Sequence, residues 1–597
     1  MNHDKKNFVL AIVLSALIII GWTYLFPNSM LTRQPAEPPA TIAPETATTA
    51  AGTGAASGQS SAGTASVAGP IAREDALKAS PRVAINSASL AGSINLTGAQ
   101  IDDLHLTKYR ETIDPGSPTI VFLSPSGTQG ALFAEQGLVA ATGTTAKLPT
   151  AETLWSAPQG AALSENSPVV LTWDNGEGLF FTRKIEIADE YLFSISQSIE
   201  NRSGSAVALL PYGRIVRQDM PHVAGWYVFF EGMLGWINGG LQEVHYSDLA
   251  EGSGPTAMDS VGGWLGFTDK YWAAALIPDQ SAAVAATFQH YKAGARDVFQ
   301  ADYLAKNAIV IQPGQSASHQ ERLFAGAKVV RTVNNVGSKY GVAGFDYMID
   351  WGWFYFLTKP FFFLLDWLNG LVGNFGIAIL LATVLVKAAV FPLANKSYAS
   401  MSKMKKLQPE MERLKQQYPD DRMKMQQELM ELYKREKVSP VSGCLPVLVQ
   451  IPIFFALYKV ILTSIELRHA PFFGWIQDLS AADPTSLFNL FGLIPWTPPH
   501  MLAIGVWPLL MGITMWVQMR LNPTPPDPVQ ASLFNWMPVI FTFMLGTFPA
   551  GLVIYWAWSN LLSILQQSII MKRHGVEVNL LGNIRSSLSF PKKTPTR

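Results

Sequence analysis

The chain has 597 residues, with 44 lysines and arginines against 44 aspartates and glutamates, and a mean hydropathy of +0.17. At 15% charged and 48% hydrophobic residues it is too apolar for an acidic disordered scaffold or a strongly basic nucleic-acid binder, and it exceeds the usual single-domain length. The single cysteine, Cys444, excludes an internal disulfide, and no CxxC or paired Cys/His spacing offers a structural zinc site.

Residues 8–26 form an uncharged run of 19, long enough at about 1.5 Å per residue to cross a hydrocarbon core of about 30 Å. Lys5 and Lys6 precede it, as they would in a secretory signal. The run is longer than a signal core, however, and ends in Trp22, Tyr24 and Phe26 with no small-x-small cleavage site, so 1–27 is read as an uncleaved anchor. Residues 28–70, dominated by Ala, Thr, Gly, Pro and Ser, bury too little apolar surface to fold and form a flexible tether.

Across 71–345 apolar and polar positions alternate, as in 169–173 and 179–187, and turn signals such as Asp174-Asn-Gly-Glu-Gly178 separate them. A β-rich domain, a sandwich, is predicted. Its aromatic residues Trp226, Tyr227, Phe229, Phe230 and Trp236 are assigned to core packing ahead of a ligand groove. Residues 346–370 differ from a membrane crossing, because Lys359 and Asp366, seven apart on one helical face, punctuate an aromatic and leucine-rich surface. With Pro360 in the first turn and Trp351, Trp353 and Tyr355 alongside, this segment reads as an amphipathic helix at the membrane interface.

A second span is placed in 371–393, and spans three to six in 444–571, around the apolar runs 444–463 and 501–519 and the uncharged stretch between Asp527 and Lys572. One straight helix over 534–571 would run about 57 Å, so the stretch holds two, reversing at Phe548-Pro549-Ala550-Gly551. Six spans put both termini on one side, and charge says which. Residues 394–443 carry 11 basic and 7 acidic residues and 572–597 carry 6 and 1, against 19 and 26 in 71–345 and 1 and 3 in 465–500. The first two segments belong in the cytoplasm and the last two outside.

In 394–443 the residues Met401, Met404, Leu407, Met411, Leu414 and Tyr418 follow a coiled-coil stripe. After the break at Pro419-Asp420-Asp421, Met425, Leu429 and Leu432 continue it, predicting a helical hairpin. Six of the chain's 19 methionines lie here. They suit adaptable apolar recognition, and equally a zipper between the two helices.

No GxSxG elbow, Walker loop or HExxH motif occurs and the nine histidines are scattered, so no catalysis, metal or cofactor is expected. What stands out is Lys387 in the second span. A lysine at a bilayer centre costs about 2.5–3.5 kcal/mol on insertion scales. Six residues before Leu393 it would sit about 9 Å deep, within reach of snorkelling, so an ordinary positive anchor competes with a functional cation. Thr383, one turn away on the same face, and Gln450 and Gln518 on other spans need polar partners in a membrane and are expected to share a wet cavity with Lys387. Pro446, Pro452, Pro508 and Pro538 loosen these helices, and the fifth span, 534–548, covers only about 22 Å, so the bilayer thins beside it. A hydrated groove facing the cytoplasm is the hypothesis.

Lys434-Arg-Glu-Lys-Val-Ser-Pro440, Gly443-Cys-Leu-Pro446, Gln450-Ile-Pro-Ile-Phe-Phe-Ala-Leu-Tyr458, Glu466-Leu-Arg468, Met537-Pro-Val-Ile-Phe541 and Phe548-Pro-Ala-Gly-Leu552 resemble the YidC/Oxa/Albino family of membrane protein insertases, in order across 354–573. The anchor plus large external domain resembles the family's Gram-negative form. The resemblance implies a polytopic α-helical protein of the bacterial inner membrane, with a five-helix core, a cytoplasmic hairpin and a periplasmic β-supersandwich. It implies an insertase and chaperone, working as a monomer, that takes nascent membrane proteins from ribosomes and the signal-recognition targeting machinery, alone or beside the Sec translocon, into the lipid bilayer. A groove cation, usually arginine in the family, occupies the position of Lys387. Lysine keeps the charge and loses the bidentate fork. Thr383 and Tyr555 match positions that face substrate, and Trp556 adjoins the latter. The hairpin, with Met401, Met404, Lys405, Lys406, Met411, Lys434 and Arg435, and the basic tail would meet ribosome or targeting machinery.

A secondary transporter or channel is the alternative and would need inverted repeats or intramembrane acids, neither of which is present. A sugar-processing enzyme in the β domain would need convergent carboxylates or a histidine pair in one cleft.

Overall fold

The structure, a computed structural model, describes residues 70–576 apart from 222–228, 253, 420, 439–444, 497–498, 500–503 and 523–527. The predicted anchor, the tether to residue 69, Trp226, Tyr227, Cys444 and the tail beyond residue 576 lie outside the described residues.

Alternating burial dictates the β domain. Leu179–Asp189 buries every second side chain along most of its length and pairs antiparallel with Val169–Asp174, Val169 facing Ile185 and Asp174 facing Phe180. The turn between them closes as its composition requires. Asn175 Oδ1 accepts hydrogen bonds from the amides of Glu177 at 2.7 Å and Leu179 at 2.9 Å. Gly178 holds φ at 92°, and a Cβ there would lie 2.9 Å from the Ser203 nitrogen, so glycine alone fits.

Among the described residues the strands form two sheets, of eleven and eight. Leu90, Ile101 and Leu104 from the larger sheet meet Phe193, Ile195 and Phe324 from the smaller in one apolar core. Phe230 and Trp236 pack against it, Trp236 stacking on Tyr347 at 5.4 Å. Two polar links cross the sandwich. Arg217, on Val207–Gln218, makes a bidentate pair with Asp269 at 2.6 and 2.7 Å and donates to Tyr246 Oη at 2.8 Å. Arg183 donates to the Gln136 carbonyl at 2.6 Å and to Gln197 Oε1 at 3.0 Å, and Gln197 donates to Glu321 Oε1 at 2.9 Å. Burial pushes the Glu321 carboxyl up to about 7 and the His319 imidazole down to about 4. Glu321 is sealed between the sheets, with His319 half-buried beside it.

Short helices α1 (Arg73–Lys78) and α2 (Tyr246–Ala250) decorate the sandwich, and α3 (Val330–Lys339) leaves it with Val330, Val333 and Val336 buried. Helix α4 (Tyr355–Val372) follows, beginning nine residues inside the predicted 346–370 segment, and Pro360 falls in its second turn rather than its first. Lys359 and Asp366 share a face as expected. Their partners come from the chain before α4: Lys359 pairs with Asp346 at 2.6 Å and Asp366 with Arg331 at 2.6 Å.

The Asn374 side chain caps α5 (Phe375–Ala389), accepting from the Ile377 amide at 3.0 Å. A 68° bend separates it from α6 (Phe391–Lys406). Periodicity predicts one helix from Met401 to Tyr418; the structure breaks it at Leu407, because Pro409 at the start of α7 (Gln408–Gln417) lacks the amide a continuous helix needs. Asp421 caps α8 (Arg422–Arg435). Met411 and Leu414 of α7 meet Met425, Leu429 and Leu432 of α8, so these methionines zip the hairpin. Met401 instead packs with Ile570 on the last helix.

Four further helices complete the fold: α9 (Leu445–Thr463), α10 (Val506–Leu521), α11 (Pro528–Leu545) and α12 (Ala550–Arg573). The reversal expected at Pro549 is present, pinned by the Ala550 amide on the Ala481 carbonyl at 2.7 Å and the Gly551 amide on the Leu479 carbonyl at 3.0 Å. Among the described residues no single helix is long and apolar enough to cross a membrane; α5 and α6 together pass that test.

The two halves are joined by polar contacts. Glu466 Oε1 accepts from the Val330 amide at 2.8 Å, at the start of α3. Arg468 donates to the carbonyls of Arg110 at 2.7 Å and Glu111 at 3.1 Å while its guanidinium lies 5.4 Å from the Trp272 ring centre. Lys459 pairs with Asp350 at 2.7 Å. The Glu466-Leu-Arg468 motif is thus a clamp on the β domain, and burial pushes the Glu466 carboxyl up to about 7.

Candidate functional site

Helices α4, α5, α6, α9 and α12 surround an open cleft. Its lining is mostly apolar, with Phe361, Val386, Ile453 and Tyr398 among the side chains, and is interrupted by Thr383, Lys387, Gln450, Tyr555 and Gln566. Four of the six groove residues expected from the sequence therefore lie on one surface.

Lys387 Nζ donates to Ser563 Oγ at 2.7 Å and to Gln450 Oε1 at 3.4 Å. Gln450 Nε2 donates to Ser559 Oγ at 3.1 Å, and the Ser563 hydroxyl donates back to the Ser559 carbonyl at 2.8 Å, one turn earlier. The chain of donors and acceptors closes, and among the described residues the partners of the lysine are neutral. No carboxylate pairs with Lys387 among the described residues, so the cleft carries an uncompensated positive charge. A cation held by neutral dipoles in an apolar wall can attract an anionic or polar group.

Thr383 donates its hydroxyl proton to the Ile379 carbonyl at 2.7 Å, leaving lone pairs toward the cleft. Trp556 points elsewhere. Its ring meets Phe454 at 4.8 Å and Phe541 at 5.6 Å, packing α12 against α9 and α11. Gln518 is half-buried on α10 and does not line the cleft. A separate polar seam joins its helix to α12, through Asn560 Nδ2 to Thr514 Oγ1 at 3.3 Å and Gln567 Nε2 to Asn522 Oδ1 at 3.0 Å. The residues that sequence reasoning missed are Ser559, Ser563 and Gln566. The signal for the two serines was the four-residue spacing from Tyr555 through Ser559 to Ser563, which puts all three on one face.

The hairpin residues form a different group. Met401 and Met411 are buried, Met404 and Lys405 half-buried, and burial lowers the Lys405 ammonium from its usual value. Lys406, Lys434 and Arg435 are exposed, with Arg435 3.3 Å from Glu410 and from Glu436. Among the described residues no cluster of His, Cys, Asp or Glu is placed to hold a metal ion.

Residues 367–577 match the model of the 60Kd inner membrane protein family, and residues 82–364 match the model of the YidC periplasmic domain. Membrane protein insertase YidC of Bradyrhizobium diazoefficiens is 50% identical over 618 residues, with 99% of each chain covered. Its namesake in Brucella suis is 50% identical over 602 residues, with 98% of each covered. A solved structure of active YidC insertase with its first transmembrane domain resolved covers 81% of this chain and 94% of its own at 18% identity, with a TM-score of 0.34. Two adjoining family models and full-length relatives at half identity leave one assignment: the chain belongs to the YidC family of inner-membrane protein insertases, in the form that carries a periplasmic domain.

Proposed function

We propose that the Lys387 cleft is where this insertase receives its substrate. The polytopic chain crosses the membrane six times with both termini in the cytoplasm, an orientation the partition of basic residues supports, and the cleft opens to the cytoplasm and the lipid. A weakly charged external tail of a nascent membrane protein enters from the cytoplasm, drawn by the uncompensated ammonium and by the hydroxyls of Thr383 and Tyr555. Its apolar segment meanwhile slides along the spans formed by α9 and α11 into lipid.

The cleft lowers the cost of moving polar groups by giving them hydrogen-bond partners over part of the path. Burial of the apolar segment, at about 25 cal/mol per Å², drives release into the bilayer. No nucleotide is consumed. The exposed charges at Lys406, Lys434 and Arg435 and the basic tail meet the ribosome or the signal-recognition machinery, whose RNA is anionic, and the insertase works as a monomer, alone or beside the Sec translocon.

The observation that carries this reading is Lys387 itself, hydrogen-bonded among the described residues to neutral Ser563 and Gln450 within an open, mostly apolar cleft. Depleting the protein from cells while following a small substrate with a short translocated tail tests it. Insertion falls to background; normal insertion contradicts the reading.

A further inference from the structure

The loop between α9 and α10 holds a second surface, unrelated to the cleft. Residues 484–519 contain no Asp, Glu, Lys or Arg. Within them Phe488, Leu490, Phe491, Leu493, Ile494 and Trp496 are all exposed, Leu493 to 83%. A run of exposed apolar side chains this dense is far outside what a surface facing water carries.

The loop is nonetheless built. Its amides close on its own carbonyls, Leu487 on Ile504 at 2.8 Å, Phe491 on Ser486 at 2.8 Å and Ile494 on Asn489 at 3.0 Å. Asp483 fixes its base, accepting from Trp475 Nε1 at 3.1 Å, Thr485 Oγ1 at 2.7 Å and the Trp507 amide at 3.0 Å, where α10 begins. Backbone amides paired within residues 486–496, with apolar side chains turned outward, suit a hydrocarbon environment. Leu490 and Phe491 hold φ at 49° and 59°, a conformation bulky residues rarely adopt, and this turns the chain back on itself.

We infer that this loop is a lipid-embedded wedge in the periplasmic leaflet of the inner membrane. Two observations fix the occupant and the side. The sequence continues without a charge into α10, where Leu510 and Ile513 are also exposed. The loop starts from the Glu466–Arg468 clamp on the periplasmic domain, which places it at that end of the core. Trp475 and Trp496 then sit where indole rings collect at a membrane interface. The inference rests on the membrane placement proposed above for α9 and α10.

The test uses the full-length protein in vesicles of phosphatidylethanolamine and phosphatidylglycerol, with Cys444→Ser removing the native thiol. An environment-sensitive fluorophore is attached at Leu493→Cys or, as a control, at Val261→Cys, an exposed β-domain position. Lipids spin-labelled near the headgroup end of the acyl chain are expected to remove most of the emission at position 493 and none at 261, while iodide on both faces does the reverse. Equal quenching by iodide at both positions overturns the inference. So does protection of position 493 from both quenchers that is lost on diluting the protein into more lipid, since a second copy would then cover it. Insertion measured in the same vesicles separates the readings: intact insertion with an iodide-accessible loop refutes the wedge alone.

Discussion

Replacing Lys387 by alanine is expected to slow insertion of a short-tailed substrate about tenfold, while Lys387→Arg stays within about twofold of the native rate. A tenfold change corresponds to about 1.4 kcal/mol, at the lower edge of what one hydrogen bond to a charged group contributes. The alanine variant loses the charge and also strands the acceptors of Ser563 and Gln450, which the ammonium now reaches at 2.7 and 3.4 Å. Arginine restores a permanent cation and enough donors for both acceptors. Lys387→Met, of similar length and no charge, should follow alanine, which separates charge from packing. Equal rates for lysine, arginine and alanine would mean that the residue only snorkels and that the cleft works without it.

The Arg217–Asp269 link should dominate the stability of the periplasmic domain. Arg217 is 8% exposed and joins a strand of the larger sheet to Asp269, beside a strand of the smaller, through two bonds of 2.6 and 2.7 Å. Losing one partner of a buried pair costs about 3–5 kcal/mol. Asp269 keeps some contact with water, its side chain being 27% exposed, so the lower end applies to Arg217→Met. For a domain of this size about 3 kcal/mol lowers the unfolding midpoint by about 6–12 °C. The double variant Arg217→Met with Asp269→Leu should recover most of that loss, because no charge is then left unpaired. Thermal unfolding of the detergent-solubilised protein reads both shifts. A single variant that melts like the native protein would show that the pair contributes only at the surface.

Much of the helical half was legible because its signals are local. Met411, Leu414, Leu429 and Leu432 zip the hairpin from a pattern visible in the chain, and Phe548-Pro549-Ala550-Gly551 turns where a proline and glycine should turn it. Lys387 was legible because a charge in an apolar run is costly. Its partners were less so, since Ser559 and Ser563 are small and common in apolar helices, and only their spacing from Tyr555 betrays a face. Gln518 shared the depth of the groove residues without sharing their direction. Depth follows from counting along one helix, whereas direction depends on which neighbour the helix meets, and α10 meets the other side of α12.

The same limit governs the β domain. Alternation marks Leu179–Asp189 as a strand, yet nothing local says that residue 217 will reach 269 across two sheets. Lys359 and Asp366 were correctly placed on one face of α4, but their partners, Asp346 and Arg331, come from a segment whose fold the pattern did not specify. The break at Leu407 shows tertiary geometry overriding a clean periodicity: Met401 follows the stripe and still leaves the hairpin to pack on Ile570.

The central claim, that substrate occupies the Lys387 cleft, is tested most directly by photo-crosslinking to a ribosome-stalled nascent membrane protein. The crosslinker is placed in turn at positions 387, 383, 555 and 518. The account predicts adducts from 387, 383 and 555, which line one surface, and few from 518, which lies on α10 outside that lining. Strong adducts from 518 with none from 387 or 555 would contradict it.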